Sequence, residues 1–158
     1  MVARPHGGRL VLRVAEGSRR ERLREEAGTM PRVEVSREVA VDVENIAYGA
    51  FSPLEGFMCS EDYHEVLYNM RLSNDLPWTL PIVLDVDGGS LKGVREGDEI
   101  ALTHGGEPIA VRRVEEVYGW DKREYALRVF KTLDGGHPGV RRTFERGDVL
   151  VGGRSELV

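Results

Sequence analysis

Glu99-Ile100-Ala101-Leu102-Thr103-His104-Gly105-Gly106-Glu107-Pro108-Ile109-Ala110-Val111 is the stretch on which the fold turns. Two apolar runs flank His104-Gly105-Gly106-Glu107, and the paired glycines read as a hairpin turn with positive φ, which glycine adopts without steric penalty. Outward from this hairpin, everything from residue 80 onward has the same punctuation. Short β-rich runs at 80–86, 99–103, 108–117 and 149–151 are separated by glycines, the pattern of a small barrel or sandwich. Arg95-Glu96-Gly97-Asp98 and Glu145-Arg146-Gly147-Asp148 each precede an apolar run and read as turns into strands.

Upstream of residue 80 the period changes to that of helices. Ser18 with Glu21 has the spacing of a capping box, and Gly28 followed by Pro31 stops that helix. Ser36 caps a second helix, with Val39, Val43, Ile46 and Ala47 on one face and Gly49 at its end. Ser60, with Glu61 and Asp62 in the first turn, starts a third that turns Tyr63, Val66, Leu67 and Met70 inward. A fourth, 121–130, pairs an Asp121 cap with Glu124 and buries Tyr125, Phe130 and either Ala126 or Leu127. The class is α+β.

The 158 residues, 41% hydrophobic, suffice for one core and are too few for two ordinary domains, so residues 1–158 read as a single domain. No apolar run approaches the ~20 residues of a membrane helix, and the first nine residues lack the apolar centre of a secretory signal. The expected compartment is the cytoplasm, with no membrane partner. Cys59 is the only cysteine, which excludes an intrachain disulfide and a zinc site built from several thiolates. A net charge of -5 argues against a uniformly basic nucleic-acid surface. The arginines at 9, 13, 19, 20, 22, 24 and 32 outnumber the glutamates at 16, 21, 25 and 26, and the expectation is a solvated helix face with pairs three or four residues apart. Charged residues at 31% and the absence of glutamine are compatible with a heat-adapted source.

Chemistry-bearing constellations are sparse. The histidines at 6, 64, 104 and 137 never fall within four residues of one another, so no helix-borne metal pair exists and no metal is expected. His6-Gly7-Gly8 and Asp134-Gly135-Gly136-His137-Pro138-Gly139 are glycine-rich, yet neither matches a phosphate loop or a dinucleotide fingerprint, and both read as surface turns. Residues 52–58 place a serine near a glycine without the elbow that exposes a nucleophile, and read as a loop packing Phe51, Leu54, Phe57 and Met58. Trp78 and Trp120 are candidate stacking faces, but each adjoins an apolar run and reads as core or rim. No cofactor is expected.

Several blocks together resemble one family. Pro5-His6-Gly7-Gly8-x-Leu10, Tyr48-Gly49-Ala50-Phe51-Ser52-Pro53-Leu54-x-Gly56-Phe57-Met58, Asp62-Tyr63, Met70-Arg71-Leu72-Ser73 and Trp78-Thr79-Leu80-Pro81-Ile82-Val83-Leu84-Asp85-Val86 occur in order and at the spacing of the N-terminal domain of ATP sulfurylase. Ile109-Ala110-Val111, Val117-Tyr118, Asp121-Lys122, Val129-Phe130, His137-Pro138-Gly139-Val140 and Val151-Gly152-Gly153 extend the resemblance over nearly the whole chain.

The resemblance implies a PUA-like β-barrel with flanking helices, and as partner the catalytic domain of ATP sulfurylase, in the same or a separate chain. That enzyme's chemistry resides in a Gln-x-Arg-Asn segment and a nearby His-x-x-His. The chain here has no glutamine, and none of Asn45, Asn69 and Asn74 follows an arginine, so no catalytic residue carries over. The chain is expected to be inactive alone, ending near where the family proceeds to its catalytic domain. His6, Phe51, Ser52, Pro53, Leu54, His137 and Pro138 are the expected inter-domain surface; a homodimer is a further way of covering it. The alternative is a free-standing module, since PUA-like domains elsewhere bind RNA, with Arg112 and Arg113 as its nucleic-acid contacts. An enzyme in its own right built on His6 and His137 is the weakest reading, for want of a nucleophile or phosphate loop.

Overall fold

β7 (Val149–Leu157) is the spine of the sheet and serves two sets of partners. In this computed structural model, which describes residues 2–158, its first part lies between β3 (Leu84–Val86) and β6 (Glu116–Gly119), with Val151 opposite both Leu84 and Val117. Its second part lies between β2 (Gly56–Phe57) and β5 (Glu107–Arg113), with Gly153 opposite Phe57 and Ser155 opposite Arg112. The expected hairpin joins β5 to β4 (Glu99–His104), and β4 takes β1 (Arg32–Glu34) in parallel on its other edge. The strands curl into a half-barrel, the PUA-like architecture that the resemblance implies.

The exchange of partners falls at Gly152-Gly153, where backbones approach too closely for side chains. Gly153 has φ 146°, and a Cβ there would run into the carbonyl oxygen of Arg113, while a Cβ on Gly56 would overlap the carbonyl oxygen of Gly153.

The helices are α1 (Gly17–Ala27), α2 (Arg37–Ala47), α3 (Ser60–Asn69), α4 (Lys122–Phe130) and α5 (Pro138–Glu145). Ser36 caps α2 as expected, its side chain accepting from the Val39 N–H, and Val39, Val43, Ile46 and Ala47 are buried. Asp121 caps α4 by accepting from Arg123 and Glu124; Ala126 is the buried alternative and Leu127 faces out. One large core joins α2 and α3 to the strands, and a smaller cluster of Ala15, Leu23, Ala27, Ala101, Val111 and Val158 lies under α1.

Four local expectations need correction. The Ser18 capping box does not form, because α1 begins two residues earlier than expected, with Glu16 at its N-cap, and Ser18 falls inside the first turn. Met70 does not face inward. It closes α3 in the left-handed region at φ 55°, and that reversal leaves it 52% exposed. Residues 108–117 are two strands, separated at Val114 and Glu115 where the chain leaves β5 to reach the other part of β7. The glycine-rich segment ending at Gly139 is not merely a turn: His137 Nδ1 accepts from the Gly139 N–H at 3.1 Å and Pro138 opens α5.

Candidate inter-domain surface

The N-terminal segment lies across the loop between α2 and β2, and sequence explains the contact locally. Ser52, 2% exposed, accepts from the Val11 N–H at 2.9 Å and donates to the Gly49 carbonyl at 2.7 Å. The Arg13 N–H donates to the Ala47 carbonyl at 2.8 Å. Gly49, at φ 85°, makes room: a Cβ there would come within 2.6 Å of Leu10 Cδ1 and 2.8 Å of the Val11 carbonyl oxygen.

Of the residues expected at an inter-domain surface, the structure brings His6, Phe51 and Pro53 together. Trp78 stands between the first two, its ring centroid 5.9 Å from His6 and 6.1 Å from Phe51, and His6 Nε2 lies 2.7 Å from the Pro77 carbonyl. Pro53 is half-buried beside Gly7. Ser52 and Leu54 are not surface residues; one holds the backbone bonds above and the other is 7% exposed within the core. His137 and Pro138 are exposed elsewhere, at the start of α5, with the His137 ring 5.0 Å from Phe130.

Beside the His6 group runs a groove of about 820 Å³, lined by Gly7, Pro53, Phe57, Cys59 and Asp62 among others. Arg9 with Glu55 at 3.5 Å and Arg154 with Glu115 at 3.2 Å stand on it, both as exposed pairs. Burial, with Glu115 and Glu116 adding to it, pushes the Cys59 thiol up to about 11, so it is protonated at neutral pH and a poor nucleophile. A second groove, of about 540 Å³, is flanked by carboxylates already engaged: Asp85 accepts from Arg146 and Gly147, and Asp148 from the Gly88 N–H. Among the described residues no three His, Cys, Asp or Glu side chains are grouped to hold a metal.

The proposed nucleic-acid contact at Arg112 is overturned. Arg112 is 0% exposed, donates through Nη2 to the Val151 carbonyl and lies over the Phe57 ring at 4.8 Å. Its Nε and Nη1 have no partner, and burial pushes the guanidinium down to about 9. Arg113 is exposed on the next residue, because alternate side chains of a strand face opposite ways. The tryptophans offer no free platform either. Trp120 donates to the Gly147 carbonyl and has the Arg146 and Lys122 cations at 5.5 and 5.8 Å from its ring.

The arginines of α1 pair only partly as expected. Arg22 meets Glu26 at 3.7 Å within the helix, whereas Arg19 reaches across to Glu156 of β7 at 2.6 Å. That long-range pair, like the N-terminal segment's bonds to Ala47 and Ser52, joins residues far apart in sequence and has no local signal.

Comparison with known proteins agrees with this architecture. A family model described as PUA-like domain matches residues 3–158. The sulfate adenylyltransferase of Hyperthermus butylicus is 61% identical over 158 residues, covering 100% of this chain and 41% of that protein. That of Staphylothermus marinus is 54% identical over the same length and with the same coverage. The chain thus spans about two-fifths of these curated relatives. Among solved structures, the hexameric APS kinase from Thiobacillus denitrificans superposes with a TM-score of 0.73 at 27% identity, over 99% of this chain and 27% of that one. No helix here is long and apolar enough to cross a membrane, among the described residues. The chain belongs to the PUA-like domain family and is similar over its whole length to part of the sulfate adenylyltransferases.

Proposed function

We propose that this chain is the N-terminal domain of a sulfate adenylyltransferase, working in the cytoplasm, and that it supplies a docking surface and no reacting group. The observation that carries the reading is the 61% identity maintained along the entire chain to 41% of such an enzyme. The enzyme joins ATP and sulfate into adenylyl sulfate and pyrophosphate, a reaction whose transition state needs donors and cations preorganised around a triphosphate. Here the thiol is protonated, the buried guanidinium is inaccessible, and the exposed arginines on the larger groove are already paired with carboxylates. Such a surface suits protein contact better than phosphoryl chemistry.

The catalytic domain, in the same or a separate chain, is the partner, with His6, Phe51 and Pro53 at the contact and His137 and Pro138 as a second, separate point. Sulfate-dependent pyrophosphate release tests the assignment. The chain alone is expected to give none, and mixing it with the catalytic portion is expected to form a complex and raise the rate. Turnover by the chain alone, or a mixture showing neither complex nor rate change, refutes it.

A further inference from the structure

We propose that the outer edge of β1 takes an added strand, and that its occupant is an extended protein segment in which basic and apolar residues alternate. This goes beyond the assignment above and does not rest on it. β1 ends the strand path β1-β4-β5-β7-β2 and pairs with β4 alone. The Ala101 N–H donates to the Pro31 carbonyl and the Val35 N–H to the Thr103 carbonyl. Residues 31, 33 and 35 therefore turn their backbone groups to β4, and the ladder directs the N–H and C=O of Arg32 and Glu34 the other way. Among the described residues those outward groups have no backbone partner. Arg32, Val33 and Glu34 line the groove of about 540 Å³ together with Asp85 and Val86 of β3, so a strand added to β1 is received in a groove.

Charge selects the occupant. Five carboxylates line the groove against three cations. Arg146 is taken by Asp85, Lys122 donates to the Phe144 and Arg146 carbonyls, and Arg32 turns its guanidinium back to the Gly28 carbonyl at 3.4 Å. Among the described residues Glu34, Asp87, Glu145 and Asp148 form no ion pair. Glu34 and Asp148 are bonded to neutral donors, the Thr103 hydroxyl and glycine N–H groups, and keep their charge. A lysine or arginine entering the groove meets carboxylates that no cation has neutralised, whereas an acidic segment is repelled. Charged side chains commonly blunt an open edge, and here their sign leaves it open to a basic strand.

Val33 and Val86, both buried, are the apolar side chains of the lining. In a strand laid beside β1, the residue next to Val33 faces inward with it, and its neighbours face outward beside Arg32 and Glu34. An apolar residue between two basic ones fits both sides. Backbone pairing supplies affinity, and the alternate side chains supply the choice of partner.

A capped, fluorescein-labelled Lys-Val-Lys-Val-Lys-Val-Lys peptide is the probe. Saturable binding is expected in fluorescence anisotropy, and amide exchange of Arg32 and Glu34, read by NMR, is expected to slow by about tenfold on saturation. Only alternate N–H groups of a strand face its neighbour, so N-methylation of the valines or of the lysines, one set and not the other, is expected to abolish binding. Glu145→Lys combined with Asp87→Asn, which keeps an acceptor for the Gly89 N–H, is expected to weaken binding about tenfold. The proposal is overturned by no saturable binding, by unchanged exchange at Arg32 and Glu34, or by equal effects of the two methylated probes. Binding that ignores the charge variant, or equally tight binding of the corresponding glutamate–valine peptide, overturns it too. Exchange at those two amides that slows with protein concentration in the absence of probe assigns the edge to a second copy and has the same consequence.

Discussion

Asp42 is expected to weaken the fold at neutral pH, and Asp42→Asn to strengthen it. The residue lies on α2, whose buried face sets Val39, Val43 and Ile46 into the core. Burial pushes its carboxyl from the ordinary aspartate value of 3.8 up to about 6, against the opposing attraction of Arg146. Arg146 is committed elsewhere: it pairs with Asp85 at 2.8 Å and donates to the Val83 carbonyl at 3.1 Å. The folded chain therefore holds the Asp42 proton more tightly than the unfolded chain. Between pH 4 and 6 the native state binds more protons, so this group's contribution to stability falls as pH rises through that window and stays low above it. The full rise corresponds to about 3 kcal/mol, and water reaching a half-buried side chain reduces that to ~1 to 2 kcal/mol. Urea unfolding of the parent and of D42N, at intervals from pH 3.5 to 8, measures it directly. D42N is expected to be more stable by ~1 to 2 kcal/mol at pH 7 and above, with the difference vanishing toward pH 4. A difference that is constant across pH, or a D42N chain less stable at pH 8, refutes the reasoning.

Three substitutions probe the interior by the same assay. Arg112→Met replaces a buried cation with two unpaired nitrogen donors by an apolar side chain of similar length, and is expected to leave stability unchanged or raise it by ~1 kcal/mol or more; a loss above ~2 kcal/mol would mean that the bond to the Val151 carbonyl and the stacking on Phe57 outweigh the burial of the charge. Ser52→Ala leaves the Val11 N–H without its acceptor and is expected to cost ~1 to 3 kcal/mol. A cost near zero would show that the N-terminal segment is held by its other bonds. Gly56→Ala forces β2 away from the Gly153 carbonyl and is expected to cost about 3 kcal/mol or to prevent folding; a wild-type melting curve would contradict the close approach.

How much of this was legible in the sequence depended on whether the deciding contact was local. The Ser36 and Asp121 caps, the α2 stripe and the 104–107 hairpin are fixed by residues within a turn or two of one another, and each was readable. β1 and β2 were not. They are three and two residues long, too short for a period, and exist because β4 and β7 offer free edges. α5 was hidden because a Gly-Gly-His-Pro-Gly run looks like punctuation, although His-Pro is a cap followed by a favoured first position.

Arg112 and the N-terminal segment show the same limit at the candidate site. Two adjacent arginines look equivalent in sequence, and strand alternation buries one of them beneath Phe57 while exposing the other. The alternation was available from the β-rich run itself; which parity faced inward was not, because it depends on β7 pairing Ser155 with Arg112 some forty residues later. Leu10 and Leu12 pose the inverse case. Leu10, Val11 and Leu12 are three apolar residues in a row, so the sequence does not say which side is taken up by the core. Here the backbone bonds to Ala47 and Ser52 give the inward positions to Val11 and leave the leucines facing out.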